Sequence, residues 1–154
     1  MPATAIRLGE KSVKVTLADG STLEADDVIL AVPPSVWNRI AFDPPLPAAL
    51  TPSMGSAVKF LAYVKKRFWE ETKLSQYILT DGPVSQTWDG TDAQEGAEGA
   101  CLVGFSGGPP AQECRGWPDA ERTENYLAEL ERVYKDMRKN FNKARFMNWP
   151  QDPW

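Results

Sequence analysis

From Ala57 to Val64 nearly every side chain is apolar or β-prone, and Lys59 is the one charge in the run. Such a run predicts a strand covered on both faces. The pattern on either side is one of short strands. Val13, Val15 and Leu17 alternate with Lys14 and Thr16, and the pattern resumes at Thr22-Leu23-Glu24-Ala25 after Asp19-Gly20, predicting a hairpin on an Asp-Gly turn. Val28 to Val32 reads as a short buried strand closed by Pro33-Pro34, and Ser35 as the cap of a short helix through Ile40. Phe42 to Pro52 holds four prolines and predicts an extended crossing segment. Further strands are expected at Gln76 to Thr80, at Val84 to Trp88, at Ala100 to Ser106 and at Lys143 to Trp149. Period-two alternation puts Val84, Gln86 and Trp88 on one face, and Cys101, Val103 and Phe105 on one face. Asp89 to Gly99 and Gly107 to Trp117 read as loops. After Pro118-Asp119, the residues Tyr126, Leu127, Leu130, Val133, Tyr134, Met137 and Phe141 recur at helical spacing. The expected class is α+β: a mixed, largely antiparallel sheet packed against one long helix, preceded by a β-hairpin and a strand.

Composition narrows the chemistry. The chain has 154 residues, 42% of them hydrophobic and 25% charged, as in ordinary globular domains. A net charge of −4 offers no basic stripe for phosphates and excludes a nucleic-acid partner. The most basic run, Lys135 to Arg145, reads as a solvated helix end. No apolar run reaches the length needed to span a membrane. Cys101 and Cys114 make neither a disulfide framework nor a metal cluster. There is no histidine, which removes His-based triads, HExxH zinc sites and imidazole proton shuttles. No P-loop or Gly-x-Gly-x-x-Gly occurs, and although Gly104 to Gly108 has the Gly-x-Ser-x-Gly spacing, no histidine exists to serve Ser106 as a nucleophile. Nothing in the pattern points to a cellular compartment. The opening directly into a strand pattern and the aromatic ending at Asn148 to Trp154 read as a piece of a longer protein.

Lys59 is then the residue with most to explain, because burying an unpaired ammonium is costly. Either its stem packs while its head reaches water, or it points into a cavity holding something it must touch.

Several segments, in order, resemble the flavin-containing amine oxidase superfamily, particularly its monoamine oxidase branch. They are Val13 to Leu17 with Asp19-Gly20, Asp27 to Pro34, Phe42 to Pro47, Gly55 to Lys59 continuing to Phe68-Trp69, Pro83 to Asp89, Val103 to Phe105, and Asn148-Trp149. The resemblance implies a central fragment of an FAD-dependent enzyme. Residues 1–40 would be a hairpin and return strand of the FAD domain, and 41–154 a substrate-binding domain truncated at its C-terminus. Lys59 would be the lysine that holds a water against flavin N5. Trp149 would pack by the flavin ring, and Ala3, Ala31, Val32 and Pro33 would pass the cofactor. Gln86, Trp88 and Phe105 would line the substrate cavity, with Gln86 replacing the apolar or aromatic residue of the best-known members. The implied reaction oxidises a primary or secondary amine to an imine, with O2 as the final acceptor giving H2O2. L-amino-acid oxidase, polyamine oxidase and a non-catalytic interaction module of the same fold remain alternatives. The isolated chain is expected to retain no FAD, to be inactive and to self-associate, a homodimer being the simplest form.

Overall fold

Strand β5 (Ala57–Val64) alternates along its length: Val58, Phe60, Ala62 and Val64 are buried, Lys59 and Leu61 half-buried, and Tyr63 exposed. The run expected to be covered on both faces is therefore covered on one. In this computed structural model, which describes residues 1–94 and 98–152, two compact units form, Met1–Met54 and Gly55–Asp152. The expected loop at Asp89 to Gly99 lies partly outside the described residues.

The second unit is built on β5. Its antiparallel sheet runs in the order β6 (Ile78–Leu79), β7 (Gln86–Asp89), β8 (Ala100–Gly107), β5, β9 (Phe141–Asn148). Short helices cover one face: α1 (Phe68–Glu71), α2 (Pro109–Gly116), α3 (Asp119–Glu131) and α4 (Met137–Asn140). Every second residue of β5 meets them, and the Phe60 ring stacks on Tyr126 of α3 at 4.2 Å and 5°. Trp69 and Phe68 of α1, Ala111 and Cys114 of α2, and Met137 of α4 complete the core. Burial of this apolar surface is the main term holding the sheet to its helices.

The single long helix expected from the sequence is broken. α3 stops at Glu131, a turn intervenes, and Phe141 already belongs to β9. Leu130, Tyr134 and Met137 are nonetheless all buried, because the turn preserves their spacing. Tyr134 also anchors the turn, since its hydroxyl donates to the Ser75 carbonyl at 2.9 Å and lies 2.9 Å from the Thr87 hydroxyl. A hydrophobic period cannot register such a break. The stretch expected to be loop at Gly107 to Trp117 holds α2, which opens on Pro109 after Gly108 at φ 60° and buries Ala111 and Cys114 one turn apart. Val84 departs from the face of Gln86 and Trp88 and enters the core. It precedes the strand, where Thr80 Oγ1 donates to the Val84 carbonyl at 2.6 Å and bends the chain. Lys143 and Arg145 lie on β9 and not on a helix end.

The loop after β7 is held by a buried ion pair. Arg67 Nε donates to Asp89 Oδ2 at 2.7 Å, and the Thr91 amide and hydroxyl donate to Oδ1 at 2.7 and 2.6 Å. Burial pushes the Asp89 carboxyl up, but the Thr91 and Arg67 hydrogen bonds outweigh it and leave the group below the ordinary carboxylate value.

Gly104 sits on the helix-facing side of β8, where an added Cβ would lie 3.1 Å from Val84 Cγ1. Gly104→Ala is expected to destabilise the protein by about 1–3 kcal/mol through overpacking. Thermal denaturation checks this, and an unchanged midpoint would mean that Val84 rotates aside.

In the first unit a four-stranded sheet runs β3 (Thr22–Ala25), β2 (Val13–Leu17), β1 (Ala3–Leu8), β4 (Ala41–Asp43). The hairpin turns at Gly20, φ 83°, with Asp19 Oδ1 accepting from the Ser21 amide at 3.0 Å. The β1–β4 pair is parallel, so the one parallel element lies here and not in the helix-covered sheet. It also carries residues 41–43 into the first unit, past the expected boundary at residue 40. Val28 to Val32 forms no strand: Ile29 is 90% exposed, and no described strand pairs with the segment. A 3-10 helix follows at Pro34–Arg39, and its N-cap is Pro33, with no side-chain cap from Ser35. The Trp37 indole instead donates to the Val32 carbonyl at 2.9 Å.

Candidate active site

Strand register assembles the site. On the sheet face away from the helices, Lys59 of β5 stands opposite Phe105 of β8, and Phe105 opposite Gln86 of β7. One pair further along, Leu61, Val103 and Trp88 form a second row. Paired antiparallel residues share a face, so Lys59, Gln86, Trp88 and Phe105 converge. They line one open concavity of about 380 Å³.

The ammonium is held by an aromatic face. Lys59 Nζ lies 5.3 Å from the Trp88 ring centroid, and Trp88 and Phe105 meet at 6.0 Å, tilted by 44°. Among the described residues Lys59 has no ion pair or hydrogen bond. The indole quadrupole stabilises the cation without neutralising it, so its charge stays available to a ligand. Cys101, on the same face, is pushed up by burial and stays a thiol. A larger hollow of about 670 Å³ lies on the helix side, beside β6 and α3. The one cation lining it among the described residues, Arg132, is paired with Glu129 at 3.0 Å, and Tyr134 is paired with Thr87, so we place the site at the smaller Lys59 concavity, where the cation has no counter-ion among the described residues.

The other residues singled out in the sequence fall elsewhere. Trp149 begins a 3-10 turn just past β9, is 49% exposed, and is not among the lining residues. Ala3 opens β1, and Ala31, Val32 and Pro33 precede the 3-10 helix, all in the first unit. The strand expected at Lys143 to Trp149 forms as β9, but none of the residues of β9 itself was singled out for the site. There Met147 stands opposite Lys59, and Arg145 opposite Leu61, on the same face. The signal was the alternation of Ala144, Arg145, Phe146 and Met147 within that expected strand, with Arg145 read only as the end of a basic run.

This sheet presents a cation among aromatic rings on its open face. Over residues 1–154 the chain matches the flavin containing amine oxidoreductase family, and it belongs to that family. It is 34% identical over 119 residues to putrescine oxidase of Kocuria rosea, a match covering 73% of this chain and 24% of that protein. To amine oxidase [flavin-containing] B of Homo sapiens it is 30% identical over 112 residues, covering 68% and 21%. The solved structure of cyclohexylamine oxidase from Brevibacterium oxydans IH-35A superposes with a TM-score of 0.81 at 25% identity, covering 99% of this chain and 35% of that one. The chain thus spans about a quarter of the length of the first of these relatives.

Proposed function

We propose that this chain is the substrate-facing part of an FAD-dependent amine oxidase, with Lys59 as its catalytic cation and Gln86, Trp88 and Phe105 as walls of the amine cavity. The observation that carries this reading is the convergence of those four side chains on one concavity around an ammonium with no counter-ion among the described residues. The donor set suits a flavin: an un-neutralised cation beside flat aromatic surface favours a planar ring that gains negative charge on reduction. Bound there, FAD would supply the acceptor for hydrogen from the carbon bearing the amine and the route for electrons to O2. The chain's own residues do the rest. Lys59 Nζ holds a positive charge, and a water, at the reacting face. Trp88 and Phe105 exclude bulk water and orient the apolar body of the amine. Gln86 offers a donor and an acceptor to a polar group on the substrate. Trp149, with Ala3, Ala31, Val32 and Pro33, would contact the cofactor, and the hairpin of β2 and β3 would belong to its domain.

Without a Gly-x-Gly-x-x-Gly turn to receive the pyrophosphate, the 154-residue chain alone is expected to be colourless and inactive. The exposed Val28 to Val32 segment would then favour self-association. The test uses the intact flavin-loaded protein. Anaerobic addition of a primary amine should bleach the flavin absorbance, and air should restore it with release of H2O2. A flavin spectrum indifferent to primary and secondary amines would overturn the reading.

A further inference from the structure

The Lys59 face has a charge pattern that its walls do not explain. Lys59, Arg145 and Lys143 all project from it, since Arg145 stands opposite Leu61 and Lys143 opposite Tyr63. Among the described residues the only acidic side chain on the five strands is Asp89, and it faces the helices, bound to Arg67. Two of the three cations have an aromatic ring to rest on: Lys59 lies over Trp88, and Lys143 lies 5.4 Å over Tyr63. Arg145 has no such ring, and among the described residues it makes no hydrogen bond or ion pair.

Arg145 and Lys59 are diagonal neighbours on adjacent strands, about 7–8 Å apart at Cα, within mutual reach of their long side chains. Like charges placed so oppose each other, and an anion between them relieves both. The row between Arg145 and Trp88 is apolar, half-buried Leu61 followed by buried Val103. A charge guarding an edge strand needs neither that row nor a second cation beside it. The guanidinium fork matches a carboxylate in two parallel hydrogen bonds, which a lysine cannot reproduce.

We propose that Arg145 sets the substrate class: the amine taken by this site carries a carboxylate, which Arg145 receives while the apolar body lies on half-buried Leu61. This rests on the amine-oxidase reading above. A diamine is disfavoured, because among the described residues no strand carboxylate on this face would receive its second ammonium, although a putrescine oxidase is among the relatives.

Binding and turnover separate the two proposals. Calorimetry on the intact protein, stripped of flavin, compares 3-phenylpropionate with its neutral amide. The acid should bind at least about tenfold tighter, Arg145→Met should abolish that preference while leaving the amide's affinity unchanged, and Arg145→Lys should restore part of it. In the flavin-loaded protein, phenylalanine should bleach the flavin with a lower KM than 2-phenylethylamine, and Arg145→Met should reverse the order. Equal affinity for acid and amide, binding of neither, or a preference that survives in Arg145→Met overturns the assignment of Arg145. Bleaching by amines without any acid preference overturns it alone and spares the oxidase reading. Acid preference without bleaching by any amine does the reverse.

Discussion

Replacing Lys59 with methionine in the intact protein should slow the reaction with O2 by about a hundredfold, the scale of losing one well-placed electrostatic contact. Anaerobic reduction by amine should change far less. Methionine keeps most of the stem, so packing against Trp88 and Phe105 survives and the charge alone is removed. That charge has no counter-ion among the described residues and rests on an indole face, so on the proposed function it stands un-neutralised where negative charge would build up as oxygen is reduced. Stopped-flow measurement of the two half-reactions checks this. Unchanged rates in both would make Lys59 a packing residue whose head merely reaches water.

The second large effect concerns stability. Arg67→Ala should cost roughly 3–5 kcal/mol, because it leaves the Asp89 carboxylate buried without its cation. The side chain of Asp89 is 1% exposed and that of Arg67 17%, so solvent screening does little for the orphaned group. The same pair sets a pH dependence. The Asp89 carboxyl lies below its ordinary value in the folded protein, so the stabilisation is present above the unfolded-state value, about 4, and is lost as pH falls through the folded one. Urea denaturation followed by tryptophan fluorescence should show a midpoint that drops from pH 7 to pH 3 in the native protein. In Asp89→Asn the drop should be smaller. A loss below about 1 kcal/mol in Arg67→Ala would place the pair among ordinary solvent-exposed bridges.

Much of the second unit was legible from alternation. The β5, β8 and β9 runs stand within a residue or two of where the pattern put them, and register then brings Lys59, Phe105 and Gln86 into line without further information. What escaped has physical causes. The break between α3 and α4 keeps the helical spacing of Leu130, Tyr134 and Met137, so periodicity is blind to it. α2 carries two prolines and a glycine, residues that punctuate loops as readily as they open and close helices. Val28 to Val32 has the composition of a buried strand, but composition does not supply the neighbour it would pair with. Arg145 was hidden because charge runs are read along the chain, whereas its meaning comes from Leu61 and Lys59 across the sheet.

The position of β5 also governs how the protein is made. Lys59 faces Phe105 on one side and Met147 on the other, so both flanks of its strand lie later in the chain. During synthesis this apolar strand leaves the ribosome with no partner, and its second edge closes only after residue 147 has emerged. Pairings this distant in sequence form slowly, and an apolar strand waiting for them can pair with other chains instead. The strand that presents the ammonium thus waits for both of its neighbours, and slower translation beyond Gly107 would lengthen the interval in which its second edge stands open.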